Sequence, residues 1–287
     1  MGRIAYVNGR YMGHGDAVVH IEDRGFQFAD GVYEFFAVFA GKLADSEGHL
    51  ARLWRSLSEI RIRPPMSEAA LLVVLHETVR RNRVRDGIVY VQITRGTAPR
   101  DHAFPHPDTP PSLVVTAKSV DYAREQAKAA KGIGVVTRPD NRWGRCDIKT
   151  VGLLPNALAK QAAREAGAYE AWFVDELGFV TEGASTNAWI VDADGALRTR
   201  DTNANILRGI TRKTLLDLAA EAGVTVTQRP FTVEEAKHAK EAFITAASTL
   251  VMPVTAIDGA QVGDGKPGPV GMKLRALYEQ NARATAR

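Results

Sequence analysis

The sequence is short of cysteine, holding one, Cys146, in 287 residues. A lone thiol cannot close an intrachain disulfide or build a thiolate metal site. The seven histidines are scattered without ligand spacing, so no metal is expected, and difficult chemistry falls to side chains or an organic cofactor. Long apolar runs are missing too: the best, at 69–75, is far below the roughly 18 residues of a membrane span. The opening MGRIAYVNGRYMGHGD lacks the apolar core and cleavage site of a signal peptide, which points to a cytoplasmic protein. An excess of one charge is also lacking: 37 Lys+Arg stand against 33 Asp+Glu, a net +4. Basic and acidic residues alternate, so a pI near 9.2 describes a mixed, solvated surface and not a nucleic-acid-binding face.

What is present is apolar material for a sizeable core, 45% of the residues, and a length that suggests about two domains at roughly 150 residues each. Residues 1–120 show short strands and two helices without strand-helix-strand regularity, which marks a small N-terminal α+β domain. Strands are expected there at 5–7, 17–20, 31–40, 88–94 and 112–117. One helix starts after Ser46 as N-cap, with Leu50, Leu53, Leu57 and Ile60 at helical spacing, and another spans 67–82. Residues 121–132 hold few large apolar groups and read as an interdomain linker or a short exposed helix. The larger C-terminal domain, 133–287, is α/β, with strands at 134–138, 170–174, 188–191 and 224–227 and helices at 151–166, 211–222 and from about 270. Residues 192–195 (DADG) form a turn, Gly223 stops a helix, and Thr232 with Glu235 makes a capping box.

Four stretches could carry chemistry. In 143–156 (WGRCDIKTVGLLPN), Lys149 stands at a strand-to-turn transition where Ile148 and Arg145 could supply the apolar and cationic setting of a nucleophilic amine. The same pattern suits a surface lysine. In 180–187 (VTEGASTN) a carboxylate precedes a turn of small residues and donors, suited to a polar ligand or to a plain hairpin. In 207–212 (LRGITR) a glycine precedes a helix start that could receive a phosphate, and 244–249 (ITAAST) offers a second anion nest. A lysine, an acid and two phosphate cradles make up the kit that holds pyridoxal 5'-phosphate.

Through EDRGFQFADGVYE (22–34), HLARL (49–53), QITRGTAPRDHAFP (92–105), RWGRCDIKT (142–150), LLPNALAKQAAREAGAYEA (153–171), VTEGASTN (180–187) and LRGITR (207–212), the chain resembles the fold-type IV pyridoxal-phosphate enzymes nearly end to end. That group includes branched-chain and D-amino acid aminotransferases and aminodeoxychorismate lyase. The resemblance implies that Lys149 links covalently to the cofactor and moves the proton at the substrate Cα. It implies that Glu182 bonds the pyridine nitrogen, that Arg52 binds the phosphate, and that Leu207 lies against a ring face. The backbone N–H groups of Ile210 and Thr211, with the loop holding Ala247 and Ser248, complete the phosphate cradle. The family loop often has a hydroxyl residue where this chain has Ala246 and Ala247, so that contact falls to the backbone or to Ser248. Cys146 matches a cysteine of D-amino acid aminotransferases but reads as a small buried residue.

Activities within the group differ in how the substrate carboxylate is held, because Lys149 serves one ring face whichever enantiomer is bound. Arg100 and His102 share a side of an extended segment and make a cationic pair. The resemblance to D-amino acid aminotransferases is closest here. It implies that Arg100, His102 and Tyr33 grip the carboxylate, the first two from the neighbouring subunit of a homodimer. Transfer of an amino group from D-alanine to 2-oxoglutarate, ping-pong through pyridoxamine phosphate, is the expected activity, with no membrane or nucleic-acid partner. A branched-chain L-amino acid aminotransferase, an (R)-amine transaminase and aminodeoxychorismate lyase are the alternatives.

Overall fold

Along Gly31–Phe39 the odd and even positions face opposite ways, and Val32, Phe36 and Val38 on one side are fully buried. The computed structural model describes residues 2–202 and 205–287, which fall into two compact units. The first comprises Met1–Asp121, Ile148–Gly152 and Ala282–Arg287; the second comprises Tyr122–Asp147 and Leu153–Asn281.

The first unit holds β1 (Ile4–Val7), β2 (Arg10–Gly13), α1 (Arg24–Phe28), β3 (Gly31–Phe39), β4 (Lys42–Leu43), α2 (Ser46–Glu59), α3 (Glu68–Arg81), β5 (Gly87–Thr94) and β6 (Ser112–Ser119). Its six strands run in the order β2-β1-β6-β5-β3-β4, every neighbour antiparallel. This is the α+β arrangement expected. On α2, Leu50, Leu53 and Leu57 are buried against the inner sheet face, each stabilising by about 1.5–3 kcal/mol.

Two local expectations fail. Residues 17–20 form no strand, and β2 pairs instead with β1 through a two-residue turn at Asn8-Gly9, both with positive φ. Such an Asn-Gly pair is a strong hairpin signal. Ser46 is the first helical residue and not the cap; Asp45 holds that place, with φ 49° and no side-chain capping bond.

The second unit holds α4 (Tyr122–Lys131), β7 (Ile133–Pro139), α5 (Leu154–Glu165), β8 (Glu170–Val174), β9 (Val180–Gly183), β10 (Asn187–Val191), β11 (Leu197–Thr199) and α6 (Ile210–Glu221). It continues with β12 (Val226–Gln228), α7 (Val233–Lys237), β13 (Glu241–Ala246), β14 (Leu250–Ile257), β15 (Ala260–Gln261) and α8 (Pro269–Thr285). Residues 121–132, expected as an interdomain linker or a short exposed helix, carry helix α4, which clusters with this unit. The sheet order is β12-β11-β10-β13-β14-β7-β8-β9, with β15 on β14; β7-α5-β8 is a parallel crossover. Ala159 and Ala163 let α5 lie close on Val136 and Phe173. The capping box forms, Thr232 Oγ1 accepting from Glu235 N–H at 3.1 Å. Among the described residues no helix is long and apolar enough to cross a membrane, and no cluster of His, Cys, Asp and Glu could hold a metal.

Candidate active site

In the first unit, Ile148–Gly152 runs beside the start of β3: Tyr33 N–H donates to Lys149 O at 3.0 Å, and Val32 bridges Thr150. The Lys149 N–H donates to Ser56 Oγ on α2 at 3.4 Å. Its ammonium lies 4.3 Å from the Tyr33 ring centroid, a cation–π placement. Tyr33 belongs to a half-exposed aromatic cluster with Phe35 and Tyr90, whose phenol burial pushes up to about 12. Ile148 is buried in the first core, whereas Arg145, expected as a cation beside Lys149, belongs to the second unit, where it pairs with Asp147 at 2.9 Å.

Arg52 stands one helical turn before Ser56 on the same face of α2. Its Nε and Nη2 donate to Glu34 Oε1 and Oε2 at 2.6 and 2.8 Å, and His49 Nδ1 lies 2.9 Å from Oε2. Burial pushes the Glu34 carboxyl up, but the Arg52 charge and the Arg52 and His49 hydrogen bonds outweigh it and hold the group well below the usual carboxylate range. A bidentate, buried carboxylate fixes the guanidinium in one orientation. Sequence reasoning found Arg52 and missed Glu34.

Arg100 and His102 are exposed on the segment after β5, and both meet the Phe28 ring: Arg100 Cζ at 5.1 Å from its centroid, the His102 ring at 5.5 Å centroid to centroid. The structure therefore brings this pair together. Among the described residues Arg100 has no acidic partner, and no hydrogen bond or ring contact joins either residue to Tyr33.

In the second unit Glu182, on β9, is 5% exposed and saturated with donors. Arg142 Nη1 reaches Oε1 at 2.5 Å, Asn187 Nδ2 reaches Oε2 at 2.9 Å, and the Leu207 N–H donates at 3.1 Å. Arg142 is itself fixed by Asp140 at 2.7 Å; burial lowers its pKa, but Asp140 and Glu182 more than reverse that, so it stays cationic. Asn187 also donates to Leu207 O at 3.1 Å, and a Cβ on Gly209 would fall 1.9 Å from Asn187 Oδ1. One amide therefore bonds both the acid and Leu207, and the backbone ahead of α6 passes close beside it. Neither Arg142 nor Asn187 was singled out from sequence, although both lie inside quoted motifs.

Ile210 and Thr211 open α6 behind Gly209, which makes no side-chain capping bond, so the first-turn N–H groups have no capping oxygen. In the loop between β13 and β14, Ala247 is half-buried and Ser248 exposed. The Thr245 hydroxyl accepts from Trp189 Nε1, whereas the Thr249 hydroxyl is buried with no partner among the described residues.

Residues 31–257 match the amino-transferase class IV family. The chain belongs to that family. It is 42% identical to the D-alanine aminotransferase of Bacillus licheniformis over 96% of this chain and 95% of the relative. Against the D-alanine aminotransferase of Staphylococcus haemolyticus the identity is 41%, over 96% of each chain. A solved branched-chain amino acid aminotransferase from T.th., with pyridoxamine 5'-phosphate, shares the fold at a TM-score of 0.90 and 26% identity, over 99% of this chain and 95% of that one.

For this class IV aminotransferase the donor set fits pyridoxal phosphate. Lys149 and the oriented Arg52 are both referenced to one face of α2. In the other unit a fixed carboxylate and an uncapped helix start are referenced to one asparagine. An amine, a guanidinium, helix-start N–H groups without a side-chain cap and a carboxylate are the kinds of group that an aldehyde, a phosphate and a ring nitrogen require.

Proposed function

We propose that this chain is a D-amino acid aminotransferase of the cytoplasm, a homodimer that moves the amino group of a small D-amino acid such as D-alanine to a 2-oxo acid such as 2-oxoglutarate. The observation that carries the reading is the Arg100–His102 pair gathered on Phe28, where the Arg100 guanidinium has no acidic partner among the described residues. The two D-alanine aminotransferases at 42% and 41% identity support the substrate class.

Pyridoxal phosphate, when bound, supplies an electron sink for the pair left at the substrate Cα. Arg52, held by Glu34, and the N–H groups of Ile210 and Thr211 would hold its phosphate, with Leu207 against the ring. Glu182 presents a carboxylate fixed by Arg142 and Asn187, an acceptor for a ring-nitrogen proton. Lys149 Nζ takes the proton from Cα and returns it, its chain steadied by β3 and Ser56. Arg100 and His102 bind the substrate carboxylate and so choose which enantiomer turns its Cα–H to Lys149.

Among the described residues no hydrogen bond or ring contact joins Arg100 or His102 to Tyr33, and the reading has a partner subunit supply them. Co-expressing Lys149→Ala with Arg100→Ala tests this. Each homodimer is impaired, whereas a mixed dimer with one intact site regains activity; no recovery in purified mixed dimers refutes the shared site. Measured kcat/KM should favour D-alanine strongly over L-leucine. The likeness to a branched-chain enzyme favours a second reading, and faster turnover of L-leucine would establish it.

A further inference from the structure

The side chains assigned to the substrate carboxylate stand on an exposed, proline-rich segment, which by itself would leave them many rotamers to lose on binding. Helix α1 supplies what the segment lacks. Phe28, its last residue, is half-buried and meets Arg100 and His102 together, at 5.1 and 5.5 Å. Arg24, at the other end of α1, is 3% exposed; its Nη1 donates to the carbonyl of Asp101, the residue between the two, at 2.6 Å. Its Nε donates to Asp30 at 2.8 Å, and Asp30 also takes Arg95 Nε at 2.7 Å and Nη2 at 2.9 Å. Arg95 in turn stacks on Phe104 at 3.6 Å and donates to the carbonyls of Ile60 and Arg61. The segment is therefore held between the pair, at the Asp101 carbonyl, and beyond it, at the Phe104 ring.

A ring is a suitable support for an anion-binding cation. A carboxylate beside Arg100 would compete with the substrate for its N–H fork, whereas an aromatic face attracts the guanidinium without neutralising it. We propose that Phe28 is a positioning residue for the substrate carboxylate, its ring preorganising Arg100 and His102 on one surface. The proposal rests on the functional reading above, through Arg100 and His102.

The test compares holoenzyme with Phe28→Leu, which keeps apolar bulk and removes the ring, and Phe28→Tyr, which keeps the ring. Single-turnover and steady-state kinetics with D-alanine are run in wild-type and Arg100→Ala backgrounds, alongside thermal melting. Phe28→Leu should lower kcat/KM about five- to thirtyfold, chiefly through KM, with the Tyr variant within about twofold of wild type. In the Arg100→Ala background the leucine change should cost clearly less than in wild type, because only the ring's contacts with His102 and with Arg24, whose Cζ lies 4.7 Å from its centroid, remain to be lost. Unchanged kcat/KM in Phe28→Leu overturns the proposal, as does an equal fall in both backgrounds, or a fall that the tyrosine variant shares. Full activity of Arg100→Ala itself removes the carboxylate reading and the proposal with it, and is told apart because no Phe28 variant enters that comparison.

Discussion

Glu34 has no exposed surface and receives two N–H groups from Arg52, itself 8% exposed, so replacing it by Gln strands a buried cation. Both groups lie out of reach of solvent screening. Breaking a buried pair by removing one partner typically costs about 3–5 kcal/mol, far more than an exposed pair is worth. Glu34→Gln should lose about that much in urea denaturation of the first unit. Replacing both partners, as in Glu34→Met with Arg52→Met, should cost less than the sum of the single changes, because the second removes the stranded charge. The pH dependence follows from the sign of the shift. A carboxyl held below its unfolded value stabilises fully above about pH 4.3 and loses that contribution as pH falls through and below it. Wild type should therefore destabilise more steeply on acidification below about pH 4 than the double variant. Strictly additive costs, or a loss under about 1 kcal/mol for Glu34→Gln, would falsify the clamp.

Replacing Lys149 by Ala should abolish transamination and remove the absorption band of the covalently held cofactor; a band that survives dialysis counts against the assignment. Glu182→Gln should retain cofactor but slow proton removal from Cα, seen in single turnovers, since a neutral amide cannot stabilise a ring-nitrogen proton. An unchanged rate assigns that task elsewhere. Burial pushes the Cys146 thiol up to about 11 despite nearby Arg142, so its thiolate is scarce at about pH 8. Iodoacetamide labelling followed by mass spectrometry should run about a hundredfold slower than for a free thiol at that pH and accelerate toward about pH 10.

The fold was most legible where periodicity was strong and local. Leu50, Leu53 and Leu57 announced α2, Thr232 and Glu235 announced α7, and the aromatic, β-branched run after Gly31 announced β3. Less was legible where partners were distant. β14 is nearly all buried, so it shows no alternation, and its place between β13 and β7 depends on strands up to about 120 residues earlier. Residues 151–153, expected within a helix, precede α5, because Ile148–Gly152 is committed to the edge of β3.

The same distinction governs the site. Lys149, Glu182 and Arg52 stand in recognisable motifs, but what orients them comes from pairings that no local pattern displays: Arg142 lies 40 residues from Glu182, and Glu34 lies 18 from Arg52. A signal existed for one of these. Glu34 alternates in phase with Val32, Phe36 and Val38, so its charge had to enter the core, and a buried carboxylate demands a cation. His49 and Arg52 share the helical stripe of Leu53 and Leu57, which aims a base and a cation at that same face. Charged residues on the inward phase of two adjoining elements thus predict each other, and here they hold Arg52 in one orientation.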